Sequence, residues 1–494
     1  MPGMATRSSE TPLRIVIGDD LMAASIRLLE MAILCSLAGR AGSFLASAAP
    51  ATRPYFRRAS PACLMSHSSK RAGVGLPKAV RLTTTPSDDN FLRKMPHNLP
   101  AGVPFTVLGI ETSCDDTGVA IVRSDGTILG EALGSQAALH EEWGGVMPSV
   151  ARDAHVAALD GVVAEALRNA GMESVAEVDA VAVTVGPGLE ICLRVGCEGA
   201  KALALAHDKP FVGVHHLEAH VLMARLGSGC ADEEAPPVDF PFLTLLTSGG
   251  HCQLLLTKGI GEHEVIGSTL DDALGEAYDK VARLLGLPVG GGGGPALEAL
   301  ARGGDPANVP LPIPMRTKKN YDFSFAGLKT AVRLAVERAP EETRCQPSFH
   351  ADVAASFQHV AISHLEQRLR YAMTLCRESA VEWGGAPTTL VVSGGVAANK
   401  ELRTRLQALC DGTPAPESPT GCWQLVLPPP RLCTDNGVMV AWAAVEQMRQ
   451  SGSCHVADEQ QVRARWPLGK KVAGAAPLGK QSPRHEQLRK GVAS

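Results

Sequence analysis

Apolar residues recur along this chain with two different periods. Val107 to Ile110 and Gly118 to Val122 are short β-branched runs on either side of a polar turn, which predicts a strand, a turn and a returning strand. The same plan recurs in FPFLTLLTSGGHCQLLLT at 240–257, where an apolar strand enters a hydroxyl- and glycine-rich turn and a second strand leaves it. A third glycine turn lies in TTLVVSGGVAANKELRTRL at 388–406, where a β-branched strand enters SGG and a helix, Asn399 to Leu406, leaves it. Helical periods are predicted over 271–287 and 364–383. Another covers VHHLEAHVLMARL at 214–226, where Leu217, Val221, Leu222 and Leu226 recur at helical spacing. Two hairpin turns of one design, one per half, predict a duplicated α/β architecture of two lobes with a cleft between them. GCADEEAPPVD at 229–239 reads as the linker between the halves.

Composition divides the chain further. Its 494 residues allow two or three domains, and aromatics at 4% leave the cores to be built from Leu, Val, Ala and Ile. In residues 1–100, 13 Lys and Arg against 6 Asp and Glu give a net +7; the whole-chain −4 therefore leaves −11 for residues 101–494. This extension is rich in Ser, Ala and Arg and resembles an organellar transit peptide over 1–103, the alternative being a merely disordered extension. Its most apolar run, MAILCSLAG at 31–39, is too short to span a bilayer, so no stable membrane insertion is expected. The 13 cysteines are odd in number and include no CxxC pair, which argues for a reducing compartment and against a disulfide framework or a Cys-type zinc module. After Leu468, Gly, Pro, Lys and Arg without apolar periodicity predict a disordered basic tail, 469–494.

The candidate chemistry sits in the turns and in one helix. Backbone N–H groups of glycine turns can point at an anion. TSGGH at 247–251, SGG at 393–395 and GPG at 186–188 all qualify, though each read alone is either a ligand contact or a plain turn. PVGGGGGPALEAL at 288–300 opens a helix and is either a nucleotide cradle or a hinge. No GxxxxGK[ST] occurs, which disfavours a P-loop ATPase. ETSCDDT at 111–117 crowds Glu111, Asp115 and Asp116 on one turn, solvated or placed to take a proton. Asp279 falls in a helical pattern, paired with Lys280 or Arg283 or free to accept from a ribose. His216 and His220, four apart, share a helix face and can reach one cation, while His215 points about a quarter-turn away. Glu218 lies about 200° from both, so this is not the HExxH arrangement of a metalloprotease. A third ligand has to come from elsewhere; Asp435, just before a predicted helix, is offered, with Cys433 the weaker alternative.

Taken as a series, GIETSCDDTG, GGVMPSVARDAH, GPGL, HHLEAH, TSGGH, LDDALGEAYDKVARLLGL, FSFAGLKTAV, VSGGVAAN and CTDNGVM resemble the tRNA threonylcarbamoyladenosine transferases, in their organellar branch. The likeness runs from about Phe105 to Leu468, and GPGLEICLRVG is similar to the mitochondrial and plastid type. The resemblance implies the actin-like (ASKHA) fold shared with sugar kinases and Hsp70 chaperones. One lobe would comprise 104–234 plus 431–468 and carry the metal-binding helix; the other, 235–430, would carry the nucleotide-binding turns. It implies transfer of a threonylcarbamoyl group from threonylcarbamoyl-AMP to N6 of the adenine just 3′ of the anticodon, in tRNAs reading ANN codons. It implies one iron or zinc ion per subunit on His216, His220 and Asp435. Substrate contacts would fall on Thr247, Ser248, Gly249, Gly250, His251, Asp279, Gly294 and Asn399, with Asp115 and Asp116 as the functionally sensitive acidic pair. The glycine run before Pro295 is longer than the family's usual GG, which bears on Gly294. A homodimer and a mitochondrial location, with the plastid as alternative, are further implications.

A tRNA binder usually shows a basic field, and the body of this chain is acidic. Local patches must then serve, such as Arg316, Lys318 and Lys319 in MRTKKN, or Arg463 and Arg465 with the tail; the alternative is that these are solvated surface charges. Three other readings compete. An actin-fold ATPase or sugar kinase does not require the histidine pair, a metalloendopeptidase lacks a placed base, and a non-catalytic scaffold would tolerate loss of the histidines and Asp435.

Overall fold

The computed structural model describes residues 103–143, 145–227, 238–289, 292–380, 385–451 and 461–472. The predicted targeting extension (apart from Val103), most of the predicted linker and the tail from 473 onward lie outside the described residues.

β1 (Thr106–Glu111) is apolar on both faces, which suits the centre of a sheet covered on two sides. Val107 points into one core and Leu108 and Ile110 into another. β1 pairs antiparallel with β2 (Thr117–Arg123), and β2 antiparallel with β3 (Ile128–Gly134). On its other side β1 runs parallel to β4 (Ala180–Gly186), and β4 parallel to β5 (Phe211–His215), giving the order β3-β2-β1-β4-β5. Parallel neighbours need crossovers, and helices supply them. α1 (Ala137–Glu141) and α2 (Pro148–Asn169) lead from β3 to β4, and α3 (Glu190–Ala206) leads from β4 to β5. Leu159, Val162 and Val163 of α2 and Cys197 and Ala200 of α3 cover the face that holds Leu108 and Ile110.

The chain leaves β5 directly into α4 (His216–Leu222), then repeats the plan. β6 (Phe242–Thr247), β7 (Cys252–Gly259) and β8 (Glu262–Ser268) form the second meander. α5 (Leu274–Leu284), α6 (Gly294–Ala301), α7 (Ala326–Arg338), α8 (Glu341–Arg344) and α9 (Pro347–Glu378) lead to β9 (Thr389–Ser393), and α10 (Lys400–Asp411) to β10 (Gln424–Val426). β9 is parallel to β6 and β10 parallel to β9, so β10-β9-β6-β7-β8 repeats the first sheet's order. This is the duplicated two-lobed actin-like α/β plan. After β10 the chain enters α11 (Gly437–Ser451), which lies on the first sheet. α4 lies between the sheets. Ala219 and Leu222 join the core of the first, while Leu217 and Val221 pack with Phe242, Leu246 and Val391 of the second.

Several elements differ from the sequence expectation for identifiable reasons. The predicted helix over 214–226 begins only at His216, because His215 is the last residue of β5 and its ring caps the helix; a 3-10 turn, Met223–Arg225, ends it. The helix predicted over 364–383 is longer at its start, from Pro347, where proline suits a first turn, and stops at Glu378. The ordered chain also continues past Leu468, where a disordered tail was expected. Lys470–Lys471 form β11, pairing parallel with Glu264 and Val265 on the free edge of β8. Composition cannot show such an edge, which offers unpaired backbone groups to any nearby strand. All nine cysteines among the described residues are free, and among those residues no helix is long and apolar enough to cross a membrane.

Two features of this packing lead to measurable consequences. α11 touches the first sheet backbone to backbone: a Cβ on Gly109 would lie 2.3 Å from Ala441 N and 2.6 Å from Gly437 O. Gly109→Val is therefore expected to destabilise the fold by roughly 3 kcal/mol or more, read from the urea midpoint. Gly161→Ala, on an exposed turn of α2 with open space around its Cβ, should stabilise it by about 0.5–1 kcal/mol. In the second lobe His364 is fully buried against Phe323 and Phe325, and its Nε2 accepts from Ser324 N at 3.2 Å. Burial, and then the Arg368 charge, push its imidazole down from 6.5 to about 4. The unfolded chain takes up this proton near 6.5 while the folded chain resists to about 4, so stability falls as pH falls through that window. Relative to His364→Gln, wild type should lose on the order of 3 kcal/mol across it and no more below, measured by denaturation at a series of pH values.

Candidate active site

α4 is buried along its whole length, so each of its polar side chains must find a protein partner or a ligand. His216 and His220 lie one turn apart with ring centroids 4.8 Å apart, edge to face. Asp435 reaches them from the turn before α11, its Oδ1 3.0 Å from His220 Nε2 and 3.8 Å from His216 Nε2. The turn is held by Asn436, whose side chain accepts from Met439 N and donates to Thr434 O, so Asp435 is left to project into the cleft. One ligand atom from each of the three residues lies within 4.8 Å of the others.

The surroundings of this trio suit a divalent ion. His216 Nδ1 faces Glu111 Oε2 and Ser113 Oγ, each at 3.2 Å, which turns Nε2 toward Asp435. Glu111 is itself fixed: Oε1 accepts from Ser113 N at 2.6 Å and Oε2 from the Thr184 hydroxyl at 2.5 Å. A carboxylate behind a histidine sets its tautomer and orients the other nitrogen as a ligand. His220 Nδ1 is buried and has no protein partner. Two imidazole nitrogens and one carboxylate oxygen, with only Asp435 partly exposed, form a donor set of the kind that zinc and iron accept. The electrostatics agree. Burial alone would lower His216, but Asp435 and Glu111 outweigh it and hold the imidazole at about 9. Burial would raise Asp435 and Glu111, yet His216 keeps both below the usual carboxylate range. A cation would take the place of that stored proton.

The other polar groups of the helix are committed elsewhere. His215 Nδ1 accepts from Leu217 N and Glu218 N, and its Nε2 donates to Trp466 O at 3.1 Å. Burial pushes it down to about 4, so it caps the helix as a neutral ring. Glu218, on the far side, accepts from Gly261 N at 2.5 Å and His263 Nε2 at 2.9 Å, which binds α4 to the β7–β8 hairpin. It faces away from the trio, as its helical position requires.

The glycine turns gather beside this centre. Ser248 N donates to His251 O and His251 N to Ser248 Oγ, closing the TSGGH turn with Gly249 and Gly250 exposed at its tip. Thr247 is buried at the turn's root, donating to Ser393 O. The SGG turn lies against it: Gly394 has φ +92°, and a Cβ there would fall 2.3 Å from Thr247 O. Next to both turns is a cavity of about 410 Å³, lined among others by Gly249, Asp279, Gly294, Asn399 and Thr434, a volume within the range of small-molecule sites. Asp279 is not paired with Lys280, which bridges Asp272 and Glu276 instead. Its Oδ1 accepts from Gly293 N at 2.6 Å, and burial raises it above the ordinary carboxylate value. Asn399 caps α10 through Leu402 N, and its Nδ2 donates to Gln358 Oε1. Thr434 lines the cavity and Asp435 follows it in the chain, so cavity and trio adjoin. His251 stands between them electrically: burial, then His216 and His220, push it down to about 4.

Asp115 and Asp116 occupy the β1–β2 turn, both half-buried. Asp116 accepts from Gln136 N at 3.4 Å, and burial followed by the Asp115 charge raises it. The turn is braced by His155 of α2, whose Nε2 donates to Cys114 O, leaving Nδ1 to accept from the Thr117 hydroxyl at 2.7 Å. Sequence reasoning missed Glu111 as the support of His216, and also His155, Gln358 and the Glu218–His263 pair. Only Glu111 carried a signal, as an acid ending an apolar strand.

With this geometry in view, comparisons with known proteins bear on its meaning. The family model described as tRNA N6-adenosine threonylcarbamoyltransferase (TsaD) matches residues 127–442. A relative from Arabidopsis thaliana, a probable mitochondrial tRNA N6-adenosine threonylcarbamoyltransferase, is 44% identical over 387 residues, covering 75% of this chain and 76% of the relative. The tRNA N6-adenosine threonylcarbamoyltransferase of Agrobacterium fabrum is 46% identical over 386 residues, covering 76% of this chain and 98% of the relative. Among solved structures, the activator of the 2-hydroxyisocaproyl-CoA dehydratase from Clostridium difficile covers 70% of this chain and 96% of its own, with a TM-score of 0.39 and 11% identity.

The trio makes a direct prediction about metal. His216→Ala, His220→Ala and Asp435→Ala should each abolish stoichiometric retention of zinc or iron by the full chain, measured by elemental analysis after dialysis. Glu111→Gln should retain the ion with an affinity ~10–100-fold weaker.

Proposed function

The chain belongs to the tRNA N6-adenosine threonylcarbamoyltransferase family, and on that premise we propose that it moves the threonylcarbamoyl group of threonylcarbamoyl-AMP to N6 of the adenine just 3′ of the anticodon, in tRNAs reading ANN codons. The bond from the carbamoyl carbon to the phosphate oxygen breaks, a bond from that carbon to N6 forms, AMP leaves, and N6 gives up a proton. The observation that carries this reading is adjacency: Thr434 lines the glycine-turn cavity, and the next residue, Asp435, belongs to the trio with His216 and His220.

Adenine N6 is a poor nucleophile because its lone pair is delocalised into the ring, so the carbonyl has to be made more electrophilic. An iron or zinc ion held by His216, His220 and Asp435 would supply Lewis-acid polarisation, or an anchor for the adenylate. The remaining work falls to the chain itself. The backbone N–H groups of Gly249 and Gly250, at the exposed tip of the Thr247–His251 turn, meet the phosphate and stabilise the departing charge. Asp279, Gly294 and Asn399 hold the nucleoside part in the cavity. His251, kept neutral, orients the carbamoyl or phosphate group by hydrogen bonding. Asp115, on the cleft turn beside Asp116, takes the proton from N6.

Neither enzymatic alternative has support of this kind. An actin-fold kinase has no need of an imidazole pair backed by a buried carboxylate, and Glu218 is engaged with His263 rather than with the trio. We assign the protein to the mitochondrion, on the basic Ser-, Ala- and Arg-rich extension and the mitochondrial naming of the Arabidopsis relative. The homodimer implied by the resemblance would find its contact surface among the exposed apolar side chains of residues 133–156, which include Leu139, Trp143 and Val156.

The full chain, a source of threonylcarbamoyl-AMP and an ANN-decoding tRNA should yield threonylcarbamoyladenosine, detected by mass spectrometry of the nucleosides. Asp115→Asn and His216→Ala should each lower the rate by at least ~100-fold. Metal-loaded wild type that makes no modified nucleoside would sink the transferase reading, and full activity in Asp115→Asn would remove that residue as the base.

A further inference from the structure

The loop that joins α6 to α7 carries Arg316, Lys318 and Lys319, all exposed. None of them forms an ion pair with a carboxylate among the described residues, whereas Arg123, Arg194 and Arg333, also on the surface, each have one. Three unpaired cations within four positions stand out on a body whose net charge is −11.

The backbone beneath these side chains is fixed by α9. Arg368 is fully buried, and its Nη1 donates to Lys318 O at 2.5 Å and Asn320 O at 3.0 Å while its Nη2 donates to Met315 O at 2.8 Å. Gln367, its neighbour, donates Nε2 to Arg316 O at 3.1 Å. Four carbonyls of the loop are thus turned inward onto two adjacent side chains, and Met315 is held at φ +50°. Arg368 has no carboxylate partner in ion-pair range among the described residues; loop carbonyls meet its charge, together with the Tyr371 ring, whose centroid lies 5.7 Å from the guanidinium carbon. The loop is also tied to the end of β8 and the segment that leads into α5. Asp322 accepts from Ser268 N, and Phe323 exchanges backbone bonds with Ser268 and Leu270, just before the turn that opens α5 and leads to Asp279.

We propose that this loop is a phosphate-binding platform on which the tRNA backbone rests while its adenine enters the cleft, an inference that builds on the transferase reading. Phosphate contacts of this kind position a nucleic acid without reading its sequence, and a fixed backbone lowers the ordering cost of making them. The other candidate patch fits less well, because the Arg463 guanidinium is already stacked 4.7 Å over the Trp466 ring.

The test measures binding of an ANN-decoding tRNA to the full chain over a range of salt concentrations. Replacing Arg316, Lys318 and Lys319 together by Ala should make the slope of log affinity against log salt shallower by about 2–3 and weaken binding at low salt by ~10–100-fold. A control removing the paired Arg123, Arg194 and Arg333 makes the same change in net charge and should leave the slope within about one unit of wild type. An unchanged slope in the loop variant, or an equal change in the control, overturns the platform while leaving the transferase reading intact. Wild type that does not bind tRNA at all overturns both.

Discussion

A short helix buried on every side is the constraint from which the rest of the site follows. None of the seven residues of α4 can leave a polar group to water, because the helix is clamped between two sheets. Glu218 is therefore met by His263 and Gly261, and His216 by Glu111 and Ser113. Leaving a buried carboxylate such as Glu218 or Glu111 without its partner typically costs about 3–5 kcal/mol, so these contacts fix how the helix is rotated. That rotation puts His216 and His220 on the side where Asp435 arrives. What is left over is informative: His220 Nδ1 has no protein partner, and one possible ligand atom from each of His216, His220 and Asp435 lies within 4.8 Å of the others.

The duplicated topology explains why the centre and the cavity share a wall. In both halves a central strand runs into a turn at the same end of its sheet, Glu111–Thr117 in one and Thr247–Cys252 in the other. The helices that follow β5 and β10 lie between or across the sheets, so their first residues emerge at those turns. His216 starts one helix and Asp435 precedes the other. Close approach depends on glycine where backbones touch, at Gly109 beneath α11, at Gly437 of α11 against β2, and at Gly394 against Thr247. The acidic turn of one lobe and the glycine turns of the other then face a common cleft.

Charge is distributed in the same sense. Acids lie close to the histidine pair: Glu111 and Asp435 flank His216, whose charge offsets their repulsion. Unpaired cations lie on the MRTKKN loop, on a backbone whose carbonyls accept four hydrogen bonds from α9. The net acidity of the body therefore says little about nucleic-acid binding, because screening limits the reach of distant charges to about 8–10 Å at ordinary salt.

Local order in the sequence determined the elements and the faces they present. Strand runs around polar turns, the four-residue spacing of His216 and His220, the placement of Glu218 off that face and the glycine turns are properties of residues near one another in the chain. Periodicity encodes them directly. Asp435 was within reach as a ligand only as one offer among others, and the resemblance rather than the spacing singled it out. Tertiary structure alone decided which groups meet across long separations: His220 with Asp435, 215 residues apart, and His216 with Glu111, 105 apart. It also decided that His215 caps a helix, that Asp279 turns inward to Gly293, and that Lys470–Lys471 complete a sheet edge. The physical reason is the same in each case. A buried polar group takes whichever partner the packed fold brings within 3 Å or so, and no local pattern records where that partner sits in the chain.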